Sequence, residues 1–175
     1  MPEIQRAHAV AVDRSRPQSR GRPAGERGDA GGEVEHDFER IDAGLHFGVN
    51  KTPEFLALNP NGLVPTLRDG ELVLWESNSI LRYLVHKYAD RKRFSLDLAQ
   101  MAASDKWLDW QLTTLWPALR IPFLGLTRIP EAERDYAAIH KAFQESNQLL
   151  RILDDVLSKE AYCSGPNFHL GDIVL

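Results

Sequence analysis

The stretch from Asn59 to Leu81 constrains this chain more than any other part of it. It reads Asn-Pro-Asn-Gly-Leu-Val-Pro-Thr-Leu-Arg-Asp-Gly, then a short apolar run, then Glu76-Ser77-Asn78-Ser79-Ile80-Leu81. Apolar runs over Leu63 to Leu67 and Leu72 to Trp75 predict two strands, and Asp69-Gly70 between them predicts a tight hairpin turn. A helix from Ser77 to about Tyr88 should follow, with Ile80, Leu81, Leu84 and Tyr88 on one face. Pro65 cannot donate to a sheet ladder, and a Val-Pro bond adopts the cis form at modest cost. A cis bond there would leave the N–H and C=O of Val64 open to an added peptide strand. The plain alternative is a proline that simply ends a strand.

Glu76-Ser77 stands where strand hands over to helix. Free amides and the positive end of the helix dipole make such a point receptive to a carboxylate, which the Ser77 hydroxyl and amide would bind. Glu76 would pair with an ammonium group, so the two together suit the head of an amino acid. The competing role for Ser77 is a helix cap. Lys51, just ahead of a short helix begun by Thr52-Pro53-Glu54 and running through Leu58, offers a cation for a second carboxylate. Taken singly, it is an ordinary surface lysine. In company, these groups suit an extended peptide with two carboxylates.

Composition narrows the partners. The net charge of -4 over 175 residues argues against a general nucleic-acid binder, which needs a concentrated basic surface. With 43% hydrophobic and 26% charged residues, no apolar run is long enough for a bilayer, so a membrane protein is not expected. Cys163 is the only cysteine, which excludes an intrachain disulfide, a redox pair and a thiolate metal cage, and makes a cytoplasmic setting the default.

Three segments differ in character. Residues 1–34 are rich in Arg, Pro and Gly and read as an atypical, disordered or non-native segment. Within it only His8 to Asp13 has the pattern of a strand. Interspersed acids and the lack of an apolar core argue against a targeting peptide. Residues 35–89 read as an α/β unit that begins with a short strand over Phe38 to Asp42. After the charged connector Ala89 to Arg93, residues 90–175 read as all-α. One helix there shows an apolar stripe of Met101, Leu108, Leu112, Leu115 and Leu119. Another shows Tyr136, Ile139, Phe143, Leu150, Leu153 and Leu157. Pro117 and Pro122 should kink or end the first. Trp107, Trp110, Trp116 and Phe123 have a spacing that suits core packing or the lining of an apolar ligand site.

Lys51-Thr52-Pro53-Glu54-Phe55-Leu56-Ala57-Leu58-Asn59-Pro60-Asn61-Gly62, Val64-Pro65, Asp69-Gly70 and Glu76-Ser77-Asn78-Ser79-Ile80-Leu81 closely resemble the glutathione-binding half of cytosolic glutathione S-transferases of bacterial type. The resemblance runs from about His36 to the C-terminus. It implies a thioredoxin-like N-terminal domain followed by a helical bundle domain. It also implies glutathione as co-substrate, a small electrophile as second substrate, and a homodimer. By the same resemblance, the backbone of Val64, Glu76 and Ser77 hold glutathione, Pro65 is cis, and Lys51 meets the glycine end. Asn50 stands where many members place a histidine. Near the end, Tyr162-Cys163-Ser164-Gly165 and Phe168-His169-Leu170-Gly171-Asp172-Ile173 look like the family's loop and buried helix start. His169 takes the place of a capping hydroxyl there, so a weaker turn is expected.

Members of the family begin with a strand, a Tyr, Ser or Cys facing the glutathione sulfur, and an amphipathic helix. Ser15-Arg16-Pro17-Gln18-Ser19-Arg20 has the outline of a serine-type start, but the Pro- and Gly-rich residues after it cannot supply the helix. No catalytic residue is therefore assigned. The missing strand would lie between those at Phe38 and Leu63, with His8 to Asp13 as its only substitute. The sequence reads as a transferase with altered N-terminal residues and a truncated C-terminus. Three functions stay open: a conjugating enzyme, a non-catalytic glutathione-binding or interaction protein, and an inactive fragment.

Overall fold

The computed structural model of the chain describes residues 8–11, 38–89, 94 and 97–175. Residues 12–37, with Ser15 and most of the atypical segment, and residues 90–93 of the charged connector lie outside the described residues. The chain divides into two units, residues 1–89 and 90–175.

In the first unit, strand β1 (His8–Ala11) pairs antiparallel with β2 (Glu39–Asp42), with His8 opposite Asp42 and Ala11 opposite Glu39. The strand expected over His8 to Asp13 thus gives β2 a partner. Its Cα trace also runs near β3 (Thr66–Asp69), but no ladder joins them. Helix α1 (Pro53–Leu58) starts where the sequence places it. Pro53 fixes φ in the first turn, and the Thr52 hydroxyl accepts the Phe55 N–H at 3.3 Å.

β3 pairs antiparallel with β4 (Leu72–Trp75), with Thr66 opposite Trp75 and Asp69 opposite Leu72. The ladder therefore begins after Pro65 rather than at Leu63, because proline has no N–H to give it. The loop is Gly70-Glu71, one residue later than the expected turn, with Gly70 at φ +61°. Asp69 stays in the strand and its buried carboxylate accepts from Tyr83 Oη (2.8 Å), Lys87 Nζ (2.8 Å) and Tyr88 Oη. All three donors lie on helix α2 (Ser77–Tyr88), so Asp69 ties the hairpin to that helix. Leu67 and Ile80 form a core there, joined by Leu74, Tyr83 and Leu84, while Ala43 and Phe55 centre another with Val49 and Val64.

The second unit is helical among its described residues: α3 (Leu98–Trp110), α4 (Trp116–Thr127), α5 (Tyr136–Leu157) and α6 (Leu170–Val174). Gln111–Leu115 forms a π turn between α3 and α4, and the Trp116 N–H reaches back to the Gln111 carbonyl. Pro117, just beyond, has no N–H for Thr113 one turn earlier, and the π turn absorbs that register defect. It also explains why Leu112 is exposed while Leu108 and Leu115 are buried. Pro122, by contrast, lies inside α4 without ending it.

α5 packs on α4, and its buried residues are Ile139, Ala142 and Ser146 rather than the whole expected stripe. Tyr136, Phe143, Leu150 and Leu157 remain exposed. Small residues on α5 and Gly125 on α4 let the backbones approach closely, and a Cβ on Gly125 would stand 2.7 Å from Ile139 Cδ1. α6 is held by Asp172, whose carboxylate accepts the His169 N–H (2.9 Å) and the Cys163 N–H (2.8 Å). Asp172 thus supplies a side-chain tie at the turn where a capping hydroxyl was missed.

Candidate functional site

The hairpin register brings the two halves of the expected clamp together. Pro65 immediately precedes β3 and Glu76 immediately follows β4, so with Thr66 opposite Trp75 both halves of the expected clamp leave the same end of the hairpin. The Val64–Pro65 bond is cis, as the sequence suggested. Val64 packs its side chain on the Ala43–Phe55 cluster, and its backbone makes no hydrogen bond among the described residues.

Glu76 is the N-cap residue of α2 and Ser77 its first helical residue, and neither side chain caps the helix. The capping role that competes for Ser77 is therefore not the one it plays here. Both side chains are exposed and carry no hydrogen bond or ion pair among the described residues. Glu76 sits at φ +73°, ψ +114°, a conformation that costs a non-glycine residue free energy and clusters at binding sites. Its side chain is offered outward by a strained backbone, beside the amides of the first turn of α2.

Lys51 ends a 3-10 turn (Val49–Lys51), and its Nζ stands 3.4 Å from where a Cβ on Gly62 would be. It thereby borders the loop that leads into Val64 and has no ion-pair partner among the described residues. Val64-Pro65 and Glu76-Ser77 thus flank the same end of the hairpin, and Lys51 borders the loop that leads into Val64.

Asn59, not singled out in the sequence, and Asn50, noted only for standing where many family members place a histidine, prove central to this loop. Asn50 is buried and donates from Nδ2 to the Gly62 carbonyl at 2.7 Å. Asn59, only 2% exposed, donates from Nδ2 to the Leu63 carbonyl (2.8 Å) and to Thr66 Oγ1 (3.1 Å). Its Oδ1 accepts the Asn61 N–H and the Asn61 Nδ2, each at 3.1 Å. The available hint was an asparagine at the end of an apolar helix and before a proline, where an amide must find internal partners.

Of the four aromatics with ligand-site spacing, Trp107 belongs to the core, donating from Nε1 to the Cys163 carbonyl at 2.6 Å. Trp110 stacks edge-on against it at 5.3 Å. Trp116 lines an open apolar groove of about 560 Å³ on α4 with Arg120, Ile121, Leu124 and Ile129. Phe123 lies beside it at 5.8 Å between ring centroids. Cys163 is buried, and burial pushes its thiol up to about 12, so it is no nucleophile at neutral pH. No metal cluster is present among the described residues.

Residues 30–86 match the family described as glutathione S-transferase, N-terminal domain. Glutathione S-transferase GstB of Escherichia coli (strain K12) is 46% identical over 145 residues, covering 82% of this chain and 70% of that protein. The chain belongs to the glutathione S-transferase family. Another member, glutathione S-transferase 3 of Zea mays, is 34% identical over 139 residues, covering 78% of this chain and 63% of its own. The theta class glutathione S-transferase of Xanthomonas axonopodis pv. citri, solved with glutathione bound, aligns with a TM-score of 0.73 at 48% identity. That alignment covers 77% of this chain and 64% of the solved one. The fold class read from the sequence, thioredoxin-like and then helical, is thus the fold of this chain. The chain spans about two thirds of the length of these relatives.

Proposed function

We propose that the chain binds glutathione and directs its thiolate at a small electrophile. The observation that carries this is that the Val64 backbone and the Glu76 and Ser77 side chains flank one end of the hairpin and make no hydrogen bond or ion pair among the described residues. In this reading Val64 pairs with the peptide backbone of glutathione, Glu76 takes its ammonium, Ser77 its α-carboxylate and Lys51 its glycine carboxylate. Pro65 ends the β3 ladder so that Val64 stays available to the ligand. The glutathione bound in the Xanthomonas relative supports this ligand.

Conjugation requires the thiol proton to leave for solvent or a base, after which sulfur forms a bond to the electrophilic carbon as the leaving group departs. Operation as a cytoplasmic homodimer completes the proposal. Its support is the family, the lone buried Cys163, and the fact that no helix among the described residues is long and apolar enough to cross a membrane.

Retention on immobilised glutathione and turnover of an aryl halide, measured on one preparation, test the proposal. Retention with turnover is the expected result. Retention without turnover would make the chain a binding protein. Neither would leave an inactive fragment and refute the proposal.

A further inference from the structure

We infer that Asn59 is a positioning residue for glutathione, acting through the peptide plane that carries the Val64 N–H. The inference rests on the proposed glutathione site and adds to it a residue that touches no ligand. A trans peptide unit is planar, so its C=O and N–H point in opposite directions and turn together. The Leu63 carbonyl and the Val64 N–H belong to one such unit. Asn59 Nδ2 holds that carbonyl at 2.8 Å, and Thr66 Oγ1 supports it at 3.3 Å. Pinning the carbonyl inward turns the Val64 N–H away from it, toward a side with no acceptor among the described residues.

The hold is rigid because Asn59 has no freedom to move. Both of its polar atoms are engaged, its backbone N–H donates to Phe55 at 2.8 Å, and its backbone carbonyl accepts the Gly62 N–H at 2.9 Å. Asn50 secures the preceding peptide plane in the same way through the Gly62 carbonyl. Gly62 itself sits at φ +60°, and a Cβ there would stand 3.0 Å from the Asn50 carbonyl. Consecutive carbonyls are thus gripped by separate buried amides, an arrangement that fixes orientation rather than adding apolar burial.

Asn59→Asp tests this, since it keeps the acceptor for Asn61 and removes the donor for Leu63. Asn59→Ser, neutral but too short to reach Leu63, is the second variant and decides the matter if the buried carboxylate prevents folding. Asp69→Asn is the control, lowering stability in the same unit through α2 without touching the loop. Glutathione Kd is measured by calorimetry on folded protein, well below each midpoint. The expected result is a rise of about tenfold or more in Kd for the Asn59 variants, the scale of one ligand hydrogen bond, with Asp69→Asn matching wild type. A smaller change in both Asn59 variants, with wild type binding, overturns the inference alone. An equal rise in Asp69→Asn overturns it too, by showing that lost stability suffices. Wild-type protein that fails to bind removes the glutathione site and this inference together.

Discussion

Glu76 allows stability and ligand binding to be pulled apart with one substitution. Its backbone, at φ +73° and ψ +114°, lies outside the left-handed helical basin, and such a placement costs a side-chain-bearing residue about 1–3 kcal/mol. Glu76→Gly removes that cost. Glycine returns about 0.5–1 kcal/mol as extra unfolded-state entropy. Loss of an acid at the N-terminus of α2 returns about 0.3–1 kcal/mol more. The balance is a stabilisation of about 0.6 kcal/mol at the centre of these ranges, equivalent to a rise of about 2–5 °C in Tm for a unit of this size.

Binding should move the other way. An exposed ammonium–carboxylate contact contributes about 1–2 kcal/mol after solvent screening, so glutathione Kd should rise roughly 5- to 30-fold. Urea unfolding and calorimetric titration of the same variant measure both quantities. Glu76→Gln serves as a check, because it keeps the strained backbone and removes only the charge. It should weaken glutathione binding with stability almost unchanged. If Glu76→Gly were instead destabilised by more than about 1 kcal/mol, the side chain would be supporting the fold, and the argument from functional strain would be wrong.

Burial alone would raise the Asp69 pKa, but hydrogen bonds from Lys87, Tyr88 and Tyr83 outweigh it and hold the carboxyl at about 2, below the usual 3.8. A depressed carboxylate stabilises the fold above its unfolded pKa and ceases to as pH falls through the folded one. Urea midpoints should therefore drop between about pH 4 and pH 2 by the equivalent of about 1–2 kcal/mol, discounted for the solvent-exposed Lys87 partner. Asp69→Asn should abolish that part of the pH dependence. A Cβ on Gly171 would stand 2.8 Å from Ser164 Oγ, 2.9 Å from Cys163 Sγ and 3.1 Å from the Ser104 carbonyl. Gly171→Ala should therefore destabilise the helical unit by about 1–3 kcal/mol, read as a lower urea midpoint. Cys163 should resist a disulfide-exchange reagent at pH 8 in the folded chain and react at once in denaturant. Rapid labelling of folded protein would contradict its buried placement.

The elements legible in the sequence were those set by local rules. Pro53 after Thr52 marked the start of α1, and the apolar spacing of Ile80, Leu84 and Tyr88 marked α2. The β3–β4 hairpin was visible too, but Asp69 joined the ladder because three donors on α2 claim its carboxylate, a contact no local rule contains. The α5 face was misjudged for a related reason. Large residues dominated the pattern, yet two of the three buried positions are the small Ala142 and Ser146, and Gly125 on α4 faces Ile139. The shift at Gln111–Leu115 followed from Pro117, but its form as a π turn depends on how α3 and α4 are held, not on spacing.

The candidate site divides along the same line, and the division has a physical cause. A ligand can be gripped only by groups that the protein leaves unsatisfied, so Lys51, Glu76, Ser77 and the Val64 backbone are open among the described residues. Unsatisfied charged side chains and a ladder-breaking proline are conspicuous residue types, which is why they could be read from the sequence. Asn50 and Asn59 do the opposite work, with their amide groups spent inside the protein on the carbonyls of Gly62 and Leu63. Their side chains are ordinary neutral amides and their partners lie 12 and 4 residues away, so only the folded loop reveals those bonds. In the proposed site the open groups are only as well aimed as the closed groups behind them, and in this loop those are Asn50 and Asn59, whose Nδ2 groups hold the Gly62 and Leu63 carbonyls.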